Sequence, residues 1–108
     1  MSKPVPVPAG FIKSPEAIGA MRAAGWMLGQ TLQILSAAAK PSMSGDELDI
    51  IARDTIRALG GEPAFLGFEK FPSTICLSRN DAIVHGLPTG QRLAAGDIIG
   101  IDCGVRLN

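Results

Sequence analysis

The apolar positions in the first half of the chain recur every three or four residues. Ile18, Met21, Gly25, Leu28, Leu32 and Leu35 fall on one stripe of a helix. Ser14, Pro15 and Glu16 open it with an N-cap, a proline at the first helical position and an acid in the first turn. Lys40 and Pro41 close it, and Trp26 and Met27 beside the stripe read as packing residues. A second helix is predicted to open at Ser44, which has capping-box spacing to Glu47. Leu48, Ile51, Ala52, Ile56 and Leu59 form its buried side, and Gly60 and Gly61 stop it.

The pattern then changes to that of strands. "STICLS" (73–78) and "AIVH" (82–85) are short β-prone runs separated by Arg79, Asn80 and Asp81, which read as a turn. Residues 88–97 form a loop rich in turn formers, and "DIIGIDCGV" (97–105) reads as a third strand. Two helices followed by antiparallel strands predict an α+β fold with the helices packed on one face of the sheet. Residues 1–10 alternate proline with small residues and are expected to form an extended arm ahead of this unit, which spans 11–108. The third strand runs to Asn108 with no return strand after it. An unpaired strand edge is usually avoided, so the chain is expected to be cut short.

Composition narrows the function classes. With 108 residues the chain is one domain at most. Ten basic and ten acidic residues cancel, which gives no electrostatic reason to expect nucleic acid or an anionic membrane as partner. No run approaches a signal peptide or a membrane span. Cys76 and Cys103 are too few for a disulfide framework and match no structural zinc spacing, so a cytoplasmic protein with free thiols is expected.

Three features carry candidate chemistry. Asp102 alternates with Ile101 and Cys103 in a run suited to burial, and it shares its face with Gly100 and Gly104, which leave a hollow beside the carboxylate. A buried carboxylate must be paired, neutralised or bound to a cation. Asp102 is therefore either an aspartate paired with Arg106 or a backbone amide, or a metal ligand. His85, the one histidine, is either a packed residue at a strand end or part of a site. Phe65, Phe68 and Phe71, interrupted by Gly67, do not fit one strand face, so they either pack or line a pocket.

Four segments taken in order settle these choices differently from any one alone. "IKSPEAIGAMRAAGWM", "MSGDELDIIARDTIRALGGEPAFLGF", "FPSTICLSRNDAIVHGLP" and "LAAGDIIGIDCGV" together resemble the N-terminal half of the type I methionine aminopeptidases. The resemblance implies a pita-bread fold of two pseudo-symmetric α+β halves around a centre of two divalent metal ions (cobalt, manganese, iron, zinc or nickel). By position, Asp102 matches a metal-binding aspartate. His85 matches a catalytic, substrate-binding histidine that contacts the scissile amide, and Phe65, Phe68, Phe71 and Cys76 match the lining of the methionine pocket. Relatives often carry Cys and Tyr where this chain has phenylalanines.

The resemblance also implies a monovalent cation near Asn80, held by backbone carbonyls, and nascent polypeptide N-termini as partners, met at the ribosome. Its metal set further requires a second aspartate, a histidine and two glutamates downstream, and six residues follow Asp102. The isolated chain is therefore expected to be inactive. Two other readings stand beside this one: a fragment of a related Xaa-Pro aminopeptidase, and a non-catalytic binding module of the same half-fold.

Overall fold

The computed structural model describes residues 4–107. The elements run α1 (Pro15–Ala38), α2 (Gly45–Ala58), β1 (Glu62–Pro63), a short 3₁₀ turn (Phe68–Lys70), β2 (Ile75–Arg79), β3 (Ile99–Cys103) and β4 (Val105–Arg106). Residues 4–10 are exposed and belong to no helix or strand. The first three residues of the expected arm, and Asn108 at the end of the expected strand, lie outside the described residues.

Both helix starts follow from local chemistry. The hydroxyl of Ser14 accepts from the Ala17 N–H at 3.1 Å, which satisfies one of the orphan donors of the first turn of α1. At α2 the capping box closes both ways: Ser44 accepts from the Glu47 N–H at 3.1 Å, and the Glu47 carboxylate accepts from the Ser44 N–H at 3.3 Å.

The core forms where α2 meets the inner face of the sheet. Leu48, Ala52 and Ile56 of α2 are fully buried against Leu35 of α1, Ile75 and Leu77 of β2, Cys103 of β3 and Leu93. Burying an aliphatic side chain of this size contributes about 1.5–3 kcal/mol. α1 packs on α2 and more lightly on β4, and it buries only Thr31 and Leu35. Trp26 was expected to pack; it is 60% exposed, because it lies off the side of α1 that meets these elements.

β2 and β3 pair antiparallel, with Ile75 opposite Cys103, Cys76 opposite Asp102 and Leu77 opposite Ile101. β1 and β4 pair antiparallel, with Glu62 opposite Arg106 and Pro63 opposite Val105. The α+β arrangement of two helices on antiparallel strands is the expected one, but the single strand predicted over 97–105 is divided at Gly104. There the chain leaves β2 for β1: the Ala64 N–H donates to the Gly104 carbonyl at 3.0 Å. A Cβ at Gly104 would stand 3.0 Å from the ring of Phe65, so glycine permits the crossing.

The predicted strand at 82–85 does not form. β2 takes β3 as its ladder partner, and the segment 82–88 forms no ladder with β2: the Ala82 N–H closes the turn onto the Arg79 carbonyl at 3.1 Å, and beyond it Gly86 bonds to the strand. The Gly86 carbonyl accepts from the Leu77 N–H at 2.8 Å, and its N–H donates to the Ser78 hydroxyl at 3.1 Å. A Cβ at Gly86 would lie 2.2 Å from the Leu77 carbonyl oxygen, so only glycine allows this approach. His85 just before it has φ +57°, which turns the chain out of an extended path and leaves Ile83 90% exposed. Among the described residues no helix is long and apolar enough to cross a membrane.

Candidate functional site

Strand alternation places Cys76, Ser78, Gly100 and Asp102 on the outer face of the β2–β3 ladder, while Ile75, Leu77, Ile101 and Cys103 enter the core. Asp102 is consequently exposed, which corrects the expectation of a buried carboxylate: its face of the sheet points away from the helices. Nor does it pair with Arg106, which stands across from Glu62 beyond the break at Gly104. Among the described residues Asp102 forms no ion pair.

Beside Asp102 an open cavity of about 410 Å³ is lined by Phe65, Phe68, Glu69, Phe71, Cys76, His85 and Asp102. All six residues singled out from the sequence therefore meet in one place. Phe65 and Phe71 meet edge to face, their ring centres 6.3 Å apart and their planes at 88°, a favourable quadrupolar arrangement that stiffens the wall. Phe68 is largely exposed at the mouth and Cys76 is buried at the base. Burial pushes the Cys76 thiol above its ordinary value, and the negative charge of Asp102 opposite pushes it the same way. A thiol so shifted stays protonated at neutral pH and serves as a soft apolar surface rather than a nucleophile.

His85 reaches the cavity from an exposed loop, and its position depends on the two bonds made by Gly86 to β2. The far end of that loop is fastened too. The Asp97 carboxylate takes the Arg79 guanidinium at 2.6 Å, the Ala94 N–H at 2.8 Å and the Asn80 amide at 3.2 Å. Asn80, at φ +54°, also exchanges bonds with Ile98: its N–H donates to the Ile98 carbonyl at 2.7 Å, and its side-chain oxygen accepts from the Ile98 N–H at 3.0 Å. Both the nitrogen and the oxygen of the Asn80 side chain thus bond to the protein.

Glu69 is the lining residue that the sequence did not reveal. It sits in a turn where Gly67 (φ +82°), Glu69 (φ +47°) and Lys70 (φ +66°) all adopt left-handed backbone. A glycine among three phenylalanines was the visible signal of a turn there, but nothing in the residue types says which side chain faces the cavity.

Asp102 is chemically suited to hold a divalent cation: an exposed, unpaired carboxylate with exposed Gly100 two residues before it on the same face. It does not suffice alone. Among the described residues no three His, Cys, Asp or Glu side chains stand close enough to hold an ion. Asp102 alone therefore makes no metal centre among the described residues.

A cavity of about 460 Å³ lies elsewhere, between the end of α1 and residues 93–101. Of its two charged groups, Lys40 and Asp97, the second is already engaged by Arg79, so the chemistry concentrates in the aromatic cavity.

Known proteins share both sequence and shape with this arrangement. The chain is 43% identical over 97 residues to a methionine aminopeptidase of Helicobacter pylori, covering 90% of this chain and 38% of that protein. To a methionine aminopeptidase of Clostridium acetobutylicum it is 44% identical over 99 residues, covering 91% of this chain and 40% of that one. The crystal structure of methionine aminopeptidase from Rickettsia prowazekii superposes with a TM-score of 0.85 at 33% identity, over 89% of this chain and 39% of that one. The chain thus spans about two fifths of the length of these relatives. The profile of metallopeptidase family M24 matches residues 19–108, five-sixths of the sequence and every residue of the aromatic cavity, and to that family the chain belongs.

Proposed function

We propose that residues 11–108 form the substrate-pocket half of a methionine aminopeptidase, acting in the removal of the initiator methionine from nascent polypeptides in the cytoplasm. The observation that supports this most is the convergence of Phe65, Phe68, Phe71, Cys76, His85 and Asp102 on one cavity. An apolar slot walled by aromatic rings and a protonated thiol suits an unbranched, polarisable thioether side chain and keeps water from it. Asp102 is in this reading one ligand of a pair of divalent ions (cobalt, manganese, iron, zinc or nickel), which when bound supply an activated water and polarise the peptide carbonyl.

His85 holds a proton at the scissile amide, steadying charge that develops there and serving the departing nitrogen. The left-handed turn at His85 and the anchoring of Gly86 fix the imidazole's approach, which is where such a contact gains its rate. A monovalent cation near Asn80 belongs to the same reading only through backbone carbonyls, since the side chain is bound to Asp97 and Ile98. The nascent chain would present its N-terminus at the ribosome.

A chimera tests this. Residues 12–108 replace the matching segment of the Helicobacter pylori methionine aminopeptidase, and the product is assayed on a Met-Ala peptide with added manganese or cobalt. Metal-dependent release of methionine is expected. A folded, metal-loaded chimera that releases none would overturn the assignment.

A further inference from the structure

Among the described residues, 83–85 make no backbone hydrogen bond. The imidazole that reaches the cavity thus ends an unbonded stretch: the Ala82 N–H bonds back to Arg79, and the next fixed point is Gly86. His85 itself keeps a left-handed backbone at φ +57°, a conformation that a residue with a side chain holds only where its surroundings impose it. The two bonds of Gly86 are not equivalent in this respect. Its carbonyl, bound to the Leu77 N–H, belongs to the peptide plane that leads on to Leu87. Its N–H belongs to the plane that joins it to His85, and that N–H donates to the Ser78 hydroxyl at 3.1 Å. Of the two, only the Ser78 bond fixes the peptide attached to the Cα of the histidine. The Leu77 bond is main chain to main chain and asks nothing of the residue type, whereas the Ser78 bond requires an acceptor side chain at position 78. Ser78 is 8% exposed on the face of β2 that also carries Cys76, so the sheet holds the hydroxyl in place. Opposite it in the ladder stands Gly100, which brings no side chain beside it.

We propose that Ser78 is a positioning residue for His85: its hydroxyl sets the peptide plane after the histidine, and thereby the direction from which the imidazole enters the cavity. This role rests on the reading of His85 as the group that meets the scissile amide. Ser78 is not among the residues lining the cavity, so its effect on the reaction passes through His85. A contact that works by orientation is sensitive to small displacements, by about 10²-fold in rate for 1 Å. Loss of the Ser78 bond therefore falls on kcat, while the apolar seat among the phenylalanines, and with it KM, stays in place.

The test pairs the chimera with the 108-residue chain. In the chimera, Ser78→Ala should lower kcat about 10–10²-fold, with KM within about twofold of the parent and metal content unchanged. Ser78→Thr keeps the hydroxyl and should recover most of the loss. Added to His85→Ala, Ser78→Ala should cost nothing further, because the group it places is gone. In the 108-residue chain the same substitution should speed amide exchange at Gly86 while the Ile56 amide in α2 keeps its rate. An active parent chimera whose Ser78→Ala variant is equally fast overturns the proposal and leaves the reading of the pocket and His85 standing. A folded, metal-loaded parent that releases no methionine overturns both. Equal losses from Ser78→Ala with and without His85, or faster exchange at Ile56 as well as at Gly86, overturn it in favour of a general loss of stability.

Discussion

Arg79 and Asp97 meet at 2.6 Å, joining the end of β2 to a point two residues before the start of β3 and closing the long loop that carries His85. Asp97 is held below the ordinary carboxylate value of 3.8, first by the Ala94 N–H, then by the Asn80 amide, with Arg79 adding to both. A carboxyl whose folded value is lowered binds its proton less readily folded than unfolded. Its contribution is complete above the unfolded value and is lost as pH falls from 3.8 through the lowered folded value. Asp97→Asn should therefore be less stable than the native chain at neutral pH, with the gap narrowing below pH 4. Urea midpoints measured across that range give the comparison, and a gap that stays constant would show that Asp97 acts through shape alone.

Gly86→Ala should destabilise the chain by about 1–3 kcal/mol, the usual cost of forcing an atom into a filled space. The added Cβ would lie 2.2 Å from the Leu77 carbonyl oxygen, which is backbone and cannot rotate away. Hydrogen exchange locates the damage: the Leu77 amide, bonded to Gly86, should lose protection more than the Ile56 amide in α2. Equal loss at both would mean the loop is not the site of the strain.

Asp49→Ala should cost about 2–4 kcal/mol, because two donors lose one acceptor. Asp49 on α2 accepts from the N–H of Thr74 at 2.8 Å and of Ile75 at 2.9 Å, and both residues are fully buried. Asp49→Asn retains a side-chain oxygen and should recover at least half of the loss. Denaturant melts of the two variants decide between a lost hydrogen bond and a lost charge.

In the chimera described above, His85 and Asp102 should separate. Asp102→Ala should lower metal content and activity together, since an anionic ligand is removed. His85→Ala should leave metal content near that of the parent while kcat falls about 10²–10⁴-fold, the range of a positioned acid–base group. Elemental analysis beside kinetics on one peptide reads both. Loss of metal from His85→Ala would make His85 a ligand.

The 108-residue chain itself should release no methionine from a Met-Ala peptide with added manganese or cobalt, because its described residues bring no three ligand side chains together. Turnover above a metal-free control would show that Asp102 has partners not visible in this arrangement.

Both helix starts can be read from the chain because capping is local: Ser14 and Ser44 act on residues three positions away. The alternation that turns Asp102 outward is equally local, since it is the period of a strand. What it faces is not. "AIVH" has strand composition, yet its place is decided by which neighbour wins β2, and β3, twenty residues on, offers a full ladder where this segment offers only a turn bond at Ala82 and the bonds of Gly86. Trp26 fails for a similar reason: its helix has no partner on that side, and a stripe of apolar residues does not reveal how much of it is covered. The roles proposed for Phe65, Cys76 and His85 rest on resemblance, whereas their meeting in one cavity is a matter of tertiary structure. Glu69 depends on left-handed backbone that residue identity alone does not predict.

Cys76 and Cys103 lie on opposite faces of the same two-stranded ladder, one at the base of the aromatic cavity and the other in the hydrophobic core. The chain thus carries two built-in clocks. A small alkylating reagent reaches Cys76 when the cavity wall breathes, a local event that leaves the helices packed. It reaches Cys103 only when the helices lift from the sheet, which is the opening of the whole domain. The ratio of the two labelling rates measures how far motion of the site is uncoupled from unfolding. A ligand seated among the phenylalanines should slow the first clock more than the second.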